Sequence, residues 1–217
     1  MHIVHKCIVK SGGRRTDIGP RLQRFTGCRD AGGPVAAGKP GIAGGKSGIA
    51  SRMVTIEDLF TKPVLIFGCG NILIGDDGFG PAVIDHLLAN FDLPSEVAAF
   101  DVGTGISEIL FDIVLMAPRP EVVFIVDTAF ESGKMPGELF EMDISRIAPK
   151  KMNDFSPHMF PSINLLSDLQ DGAGVRVRVL AVQAESMPEE IGQGLSDAVK
   201  AAVPEACQWL LCQIISK

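Results

Sequence analysis

The short apolar run Val64-Leu65-Ile66-Phe67 breaks into a glycine turn, Gly68-Cys69-Gly70-Asn71, and the chain then places two adjacent carboxylates, Asp76-Asp77, just before a helix start at Gly80-Pro81. A continuous apolar run of this length reads as a strand buried on both faces. A strand that passes through a glycine turn directly into a helix is the building unit of a parallel α/β sheet. The stretch approximates a dinucleotide-binding loop and departs from it at two points. The third glycine of G-x-G-x-x-G would fall on Leu73. A pyrophosphate also needs positive potential at the helix start, where Asp76 and Asp77 would repel it. Two acids on a strand-to-helix loop suit a cation instead.

The strand and helix patterns continue to alternate beyond this unit. The periodicity predicts a helix over 81–91, with Val83, Ile84, Leu87, Leu88 and Phe91 on its apolar face and Pro81 in its first turn. A strand is expected over 97–102 and a helix over 106–116, ended before Pro118. A third strand, 122–126, should end at Asp127. Pro136-Gly137 marks a turn into a short strand over 138–142. A helix over 162–169, capped by Ser162 and stopped at Asp171-Gly172, leads to a last strand over 175–182. Two closing helices, 196–202 and 204–215, are separated at Pro204. This alternation specifies a three-layer α/β/α domain with a mainly parallel sheet.

Charge divides the chain at about residue 53. Residues 1–52 carry ten Lys/Arg against two Asp/Glu, and the remainder carries ten against 24. The first segment also holds 11 of the 24 glycines and has no sustained periodicity. Such a segment cannot bury enough surface to offset its chain entropy. It reads as a disordered basic tail or an over-extended start, with a transit peptide or a nucleic-acid-contacting arm as alternatives. Residues 53–217 read as the folded domain. Its acidity argues against a nucleic-acid partner. No apolar run approaches the roughly 18 residues of a membrane span. Five cysteines without C-x-x-C spacing point to a reducing cytoplasm.

Function in such sheets gathers at the carboxyl ends of the strands. Asp76 and Asp77 follow the first strand and Asp127 ends the third, while His158 lies in a Pro-flanked loop, Ser156-Pro157-His158-Met159-Phe160-Pro161. Carboxylates and an imidazole converging on one edge would suit nickel, zinc, manganese or iron, with coordination positions left open. Each residue also has an ordinary structural use: Asp77 beside a helix N-terminus, Asp127 as a strand terminator, His158 as a loop histidine. Two carboxylates about 4 Å apart repel by roughly 4 kcal/mol at an effective dielectric of 20. A cation, a shared proton or a protonated His158 would relieve that repulsion. Cys69 lies inside a glycine turn and reads as a small buried residue rather than a nucleophile.

Taken in order, these motifs resemble the nickel–iron hydrogenase maturation endopeptidases over nearly all of 53–215. The resemblance runs through Gly68-Cys69-Gly70-Asn71, then Gly75-Asp76-Asp77-Gly78-Phe79-Gly80-Pro81. It continues with Ile125-Val126-Asp127, Met135-Pro136-Gly137-Glu138, Pro157-His158 and Val182-Gln183. The subgroup it looks closest to serves deazaflavin-reducing hydrogenases. The resemblance implies a mixed five-stranded sheet and a site in which Asp77, Asp127 and His158 contact the metal and carry the catalysis. It implies an enzyme that clips a C-terminal extension from the hydrogenase large-subunit precursor after nickel insertion, with the nickel supplied by that precursor. Ala184-Glu185 stands where family members often carry Pro and Asp, which questions a docking role for that segment. Two mechanisms are open at this point: metal activation of water, or a carboxylate general base beside a nickel that only anchors the substrate. A nickel-binding chaperone without peptidase activity and a dinucleotide oxidoreductase are the competing classes.

Overall fold

The structure is a computed structural model and describes residues 55–142, 165–187, 191–192 and 194–215. Five strands form one sheet: β1 (Val64–Cys69), β2 (Val97–Gly103), β3 (Val122–Ala129), β4 (Leu139–Met142) and β5 (Arg176–Gln183). Their order across the sheet is β2-β1-β3-β5-β4. The first four run parallel, and β4 alone runs antiparallel, against β5. Every residue of β1 and β3 is buried. This is why β1 and residues 122–126 of β3 read as continuous apolar runs rather than alternating ones.

Strand alternation sorts the apolar side chains into two cores. Val64, Ile66, Val122, Phe124 and Val126 face one side, where they meet Val83, Ile84 and Leu87 of α2 (Phe79–Asn90) and Val203, Ala206 and Leu210 of α4 (Asp197–Ile215). Leu65, Phe67, Val123 and Ile125 face the other side. There they meet Leu59 of α1 (Ile56–Thr61), Ile106, Leu110 and Ile113 of α3 (Ile106–Leu115), and Leu165, Leu166 and Leu169. Residue i and residue i+1 of a strand point to opposite faces, so each parallel strand feeds both layers. The result is the expected three-layer α/β/α sandwich with a mixed sheet.

Three expectations need correction, and a fourth is only partly covered by the described residues. The strand bearing Asp127 does not end there; β3 runs on to Ala129, hydrogen-bonded in register with β5 through Ala129 and Gln183. Asp127 is therefore an interior strand residue. The two closing helices are one, with Pro204 inside it. A proline costs about 3 kcal/mol in a helix interior, but Val199, Ala202, Val203, Ala206, Cys207 and Leu210 form a single buried stripe that spans it. That burial outweighs the lost hydrogen bond. Leu88 and Phe91 are exposed rather than packed, at 43% and 36%. Leu88 sits a further 100° around the helix from Leu87, and Phe91 is the extended C-cap residue that leaves the helical path. The start of the helix expected over 162–169, with its Ser162 cap, lies outside the described residues; from Leu165 it is helical and closes in a π-helical turn over Asp168–Gly172. Among the described residues no helix is long and apolar enough to cross a membrane.

Candidate active site

Missing side chains bring the opening loop against the sheet. A Cβ on Gly80 would lie 2.2 Å from the Cys69 carbonyl oxygen and 2.6 Å from that of Val126. The first turn of α2 thus rests directly on the end of β1 and on β3 at Val126, at a distance only glycine permits. Gly70, at φ 123°, plays the matching role in the loop: a Cβ there would lie 1.8 Å from the Asp77 carbonyl oxygen. Between these glycines the residues Gly75–Gly78 form a 3-10 turn that carries both acids, each almost wholly buried.

Much of the backbone of this loop is hydrogen-bonded, within the loop and to neighbouring segments. Gly70 N–H donates to Gly103, Ile74 N–H to Asn71, Gly75 N–H to Gly192 and Asp77 N–H to Ile74, each to a carbonyl oxygen. Asn71 N–H donates to Asp77 Oδ2, and Leu73 N–H to Asn71 Oδ1. Six N–H groups of the loop, those of Gly70, Asn71, Leu73, Ile74, Gly75 and Asp77, are thus engaged within the protein, which argues against a pyrophosphate here.

The adjacent acids have different jobs. Asp76 is a bracket. Its Oδ1 accepts the Ser196 N–H at 2.7 Å, and its Oδ2 accepts those of Glu185 at 2.9 Å and Ser186 at 3.1 Å. One carboxylate thereby ties the opening loop to the segment between β5 and α4. The departure at Ala184-Glu185 matters little to this bracket, because the backbone of Glu185 and not its side chain makes the bond. Asp77 faces the other way, toward Asn71 and Gly70.

Asp127 lies on β3 within electrostatic reach of Asp77 and is 5% exposed. Its Oδ1 accepts the Thr128 N–H at 2.7 Å. Burial pushes its carboxyl from 3.8 up to about 7; the Thr128 N–H pulls it down, and the charge of Asp77 pushes it further up. A carboxyl poised near neutrality can take and return a proton during one reaction cycle. It would also gain from a nearby cation, because both burial and the Asp77 charge penalise its ionised form. Two buried oxygen donors of this kind, joined by an imidazole, make a set that a borderline divalent ion accepts.

His158 lies outside the described residues. Among the described residues no group of three or more His, Cys, Asp or Glu is arranged to hold a metal ion. Cys69 sits beside the acids, and its thiol is raised well above its ordinary value, by burial first and then by Asp127, Asp101 and Asp77. It stays protonated, which removes it as a nucleophile. Two contributors escaped sequence reasoning: the bracket made by Asp76, and Thr128. The signal available for Thr128 is a β-branched hydroxyl residue directly after Asp127 in an otherwise apolar run.

Comparison with known proteins places relatives beside this geometry. The model of the family described as hydrogenase maturation protease matches residues 81–213. Subunit delta of the coenzyme F420 hydrogenase from Methanothermobacter thermautotrophicus is 35% identical over 160 residues, covering 71% of this chain and 96% of the relative. The hydrogenase 2 maturation protease of Escherichia coli is 28% identical over 153 residues, covering 70% of this chain and 90% of that protein. Among solved structures, the hydrogenase maturating endopeptidase HybD from E. coli superposes with a TM-score of 0.57 at 26% identity, over 70% of this chain and 92% of that one.

Proposed function

Because this chain belongs to the hydrogenase maturation proteases, and is therefore a peptide-bond hydrolase, we propose that it removes the C-terminal extension of a nickel–iron hydrogenase large-subunit precursor after nickel has been inserted. Asp77, Asp127 and His158 are the residues that would work on the precursor. The observation that carries this reading is the buried pair Asp77 and Asp127, with the Asp127 carboxyl lifted to about 7. At neutral pH a substantial share of Asp127 is ionised and can accept the proton of a water attacking the scissile carbonyl carbon. The same group then returns that proton to the departing amide nitrogen, so the C–N bond breaks as the new C–O bond is kept. The loop that carries Asp77 is rigid by its glycine contacts and internal hydrogen bonds, which favours a preorganised site.

Nickel enters as part of the substrate. Carboxylate and imidazole donors accept nickel, so the nickel centre of the precursor would anchor its tail against Asp77, Asp127 and His158. Anchoring converts a bimolecular encounter into a positioned one, and its loss costs orders of magnitude in rate. The relative named as a subunit of the coenzyme F420 hydrogenase favours a deazaflavin-reducing hydrogenase as the source of the precursor. The test uses metal-stripped protease mixed separately with nickel-loaded and nickel-free precursor, with the mass of the large subunit followed in time. Cleavage of the nickel-loaded form alone is expected. Equal cleavage of both would leave a protease that reads only the peptide, and unchanged mass in both would leave a nickel-binding chaperone.

A further inference from the structure

One buried hydroxyl joins the two carboxylate-bearing elements. Thr128 follows Asp127 on β3 and is fully buried. Its N–H donates to Asp127 Oδ1 at 2.7 Å. Its Oγ1 donates to the backbone carbonyl oxygen of Asp76 at 2.8 Å. The first bond holds the Asp127 carboxylate in place. The second fastens the 3-10 turn that carries Asp77 to the strand that carries Asp127. The other bonds of that turn run elsewhere: Gly75 N–H to Gly192, Asp77 N–H to Ile74, and the Asp76 carboxylate to Glu185, Ser186 and Ser196. The turn is thus held by the segment after β5 and by the Asn71 N–H at Asp77 Oδ2, while Thr128 ties it to the strand that carries Asp127.

The choice of residue supports a specific role. In β3, residues 122–126 are apolar and Ala129 closes the strand, so Asp127 and Thr128 are its only polar side chains. A hydroxyl buried in a sheet is unfavourable unless it is hydrogen-bonded. A valine would fill the same β-branched space without that requirement. The one hydroxyl of the strand stands at the position from which it reaches the turn.

We propose that Thr128 is a positioning residue for peptide hydrolysis: its hydroxyl and amide together set the placement of Asp77 against Asp127. The proposal rests on the reading of these two aspartates as the working carboxylates. Its loss should degrade turnover more than precursor binding, since Thr128 is fully buried and does not itself meet the precursor. The variants Thr128→Val and Thr128→Ala remove the hydroxyl and keep the backbone N–H. Thr128→Ser keeps both donors.

The experiment measures kcat and KM for nickel-loaded precursor with each variant, below the lowest melting temperature of the set, with Asp127→Asn as a reference. In Thr128→Val and Thr128→Ala, kcat should fall about 10- to 100-fold, the loss expected for displacing a reacting group by an ångström or less. KM should change less than kcat, because Asp77 and Asp127 are still present to meet the precursor and only their relative placement for the reaction is disturbed. Thr128→Ser should recover most of the lost kcat. If Thr128→Val fails to fold, the smaller Thr128→Ala carries the same test. Parental kcat in the hydroxyl-free variants, together with an inactive Asp127→Asn, would overturn the positioning role alone. So would a Thr128→Ser as slow as Thr128→Ala, or an effect confined to KM. Full activity in Asp127→Asn would overturn the carboxylate reading and the proposal with it.

Discussion

Replacing Asp127 by asparagine should stabilise the domain while ending its activity, and the stabilisation should grow with pH. The carboxyl is held at about 7 in the folded protein against 3.8 for a free aspartate. The folded state therefore binds this proton more tightly than the unfolded state does. Between pH 3.8 and about 7 the wild type loses stability as pH rises, because the unfolded chain releases the proton first. Above pH 7 both states are ionised and the penalty is complete. At about 1.4 kcal/mol per pH unit it reaches an upper limit of about 4 kcal/mol. At pH 5 only about 1.5 kcal/mol of it has developed. Asparagine escapes the penalty at every pH. Its amide oxygen can still accept the Thr128 N–H, and its amide nitrogen adds a donor beside the negative Asp77. Urea unfolding of both proteins in the presence of a chelator, at pH 5 and pH 8, measures the effect. The gap in favour of Asp127→Asn should widen by about 2–3 kcal/mol between the two pH values. For a slope of about 2 kcal/mol per molar urea this moves the midpoint difference by more than about 1 M. An equal gap at both pH values, or an asparagine variant less stable at pH 8, would refute the claim that Asp127 is buried at an electrostatic cost.

The two adjacent acids should respond oppositely to the same change. Asp76→Asn turns an acceptor toward backbone N–H groups into a donor, and should lower stability by about 1–3 kcal/mol, visible in thermal unfolding. Asp77→Asn should leave the melting temperature close to the parent value and abolish precursor processing; a processed large subunit with that variant would remove Asp77 from the site. Deleting residues 1–52 should leave both melting temperature and cleavage unchanged, since the segment has no periodic apolar face to contribute to a core; a large drop in melting temperature would show that it packs on the domain.

The parts of this protein legible in its sequence are those set by local chemistry. Two-sided burial marks β1 and β3 as apolar runs, and glycine–proline punctuation separates the strands from α2 and α3. The ordering of strand and helix then leaves few topologies open, and it places the acids after β1 and at the end of β3's apolar run. Asp127 stands out for a related reason: a carboxylate after five consecutive apolar residues needs an explanation that one in a surface loop does not. Other features depend on partners far away in the chain. The single helix through Pro204 follows from a buried stripe that only the sheet surface defines. The continuation of β3 past Asp127 follows from pairing with β5. The division of labour between Asp76 and Asp77 is decided by backbone N–H groups more than 100 residues later. Thr128 acquires its role from a carbonyl oxygen 52 residues earlier. Spacing along a chain encodes which face a side chain occupies, because helix and strand periods are local. It does not encode which oxygen a buried donor will meet, because that contact exists only once the separate elements have packed.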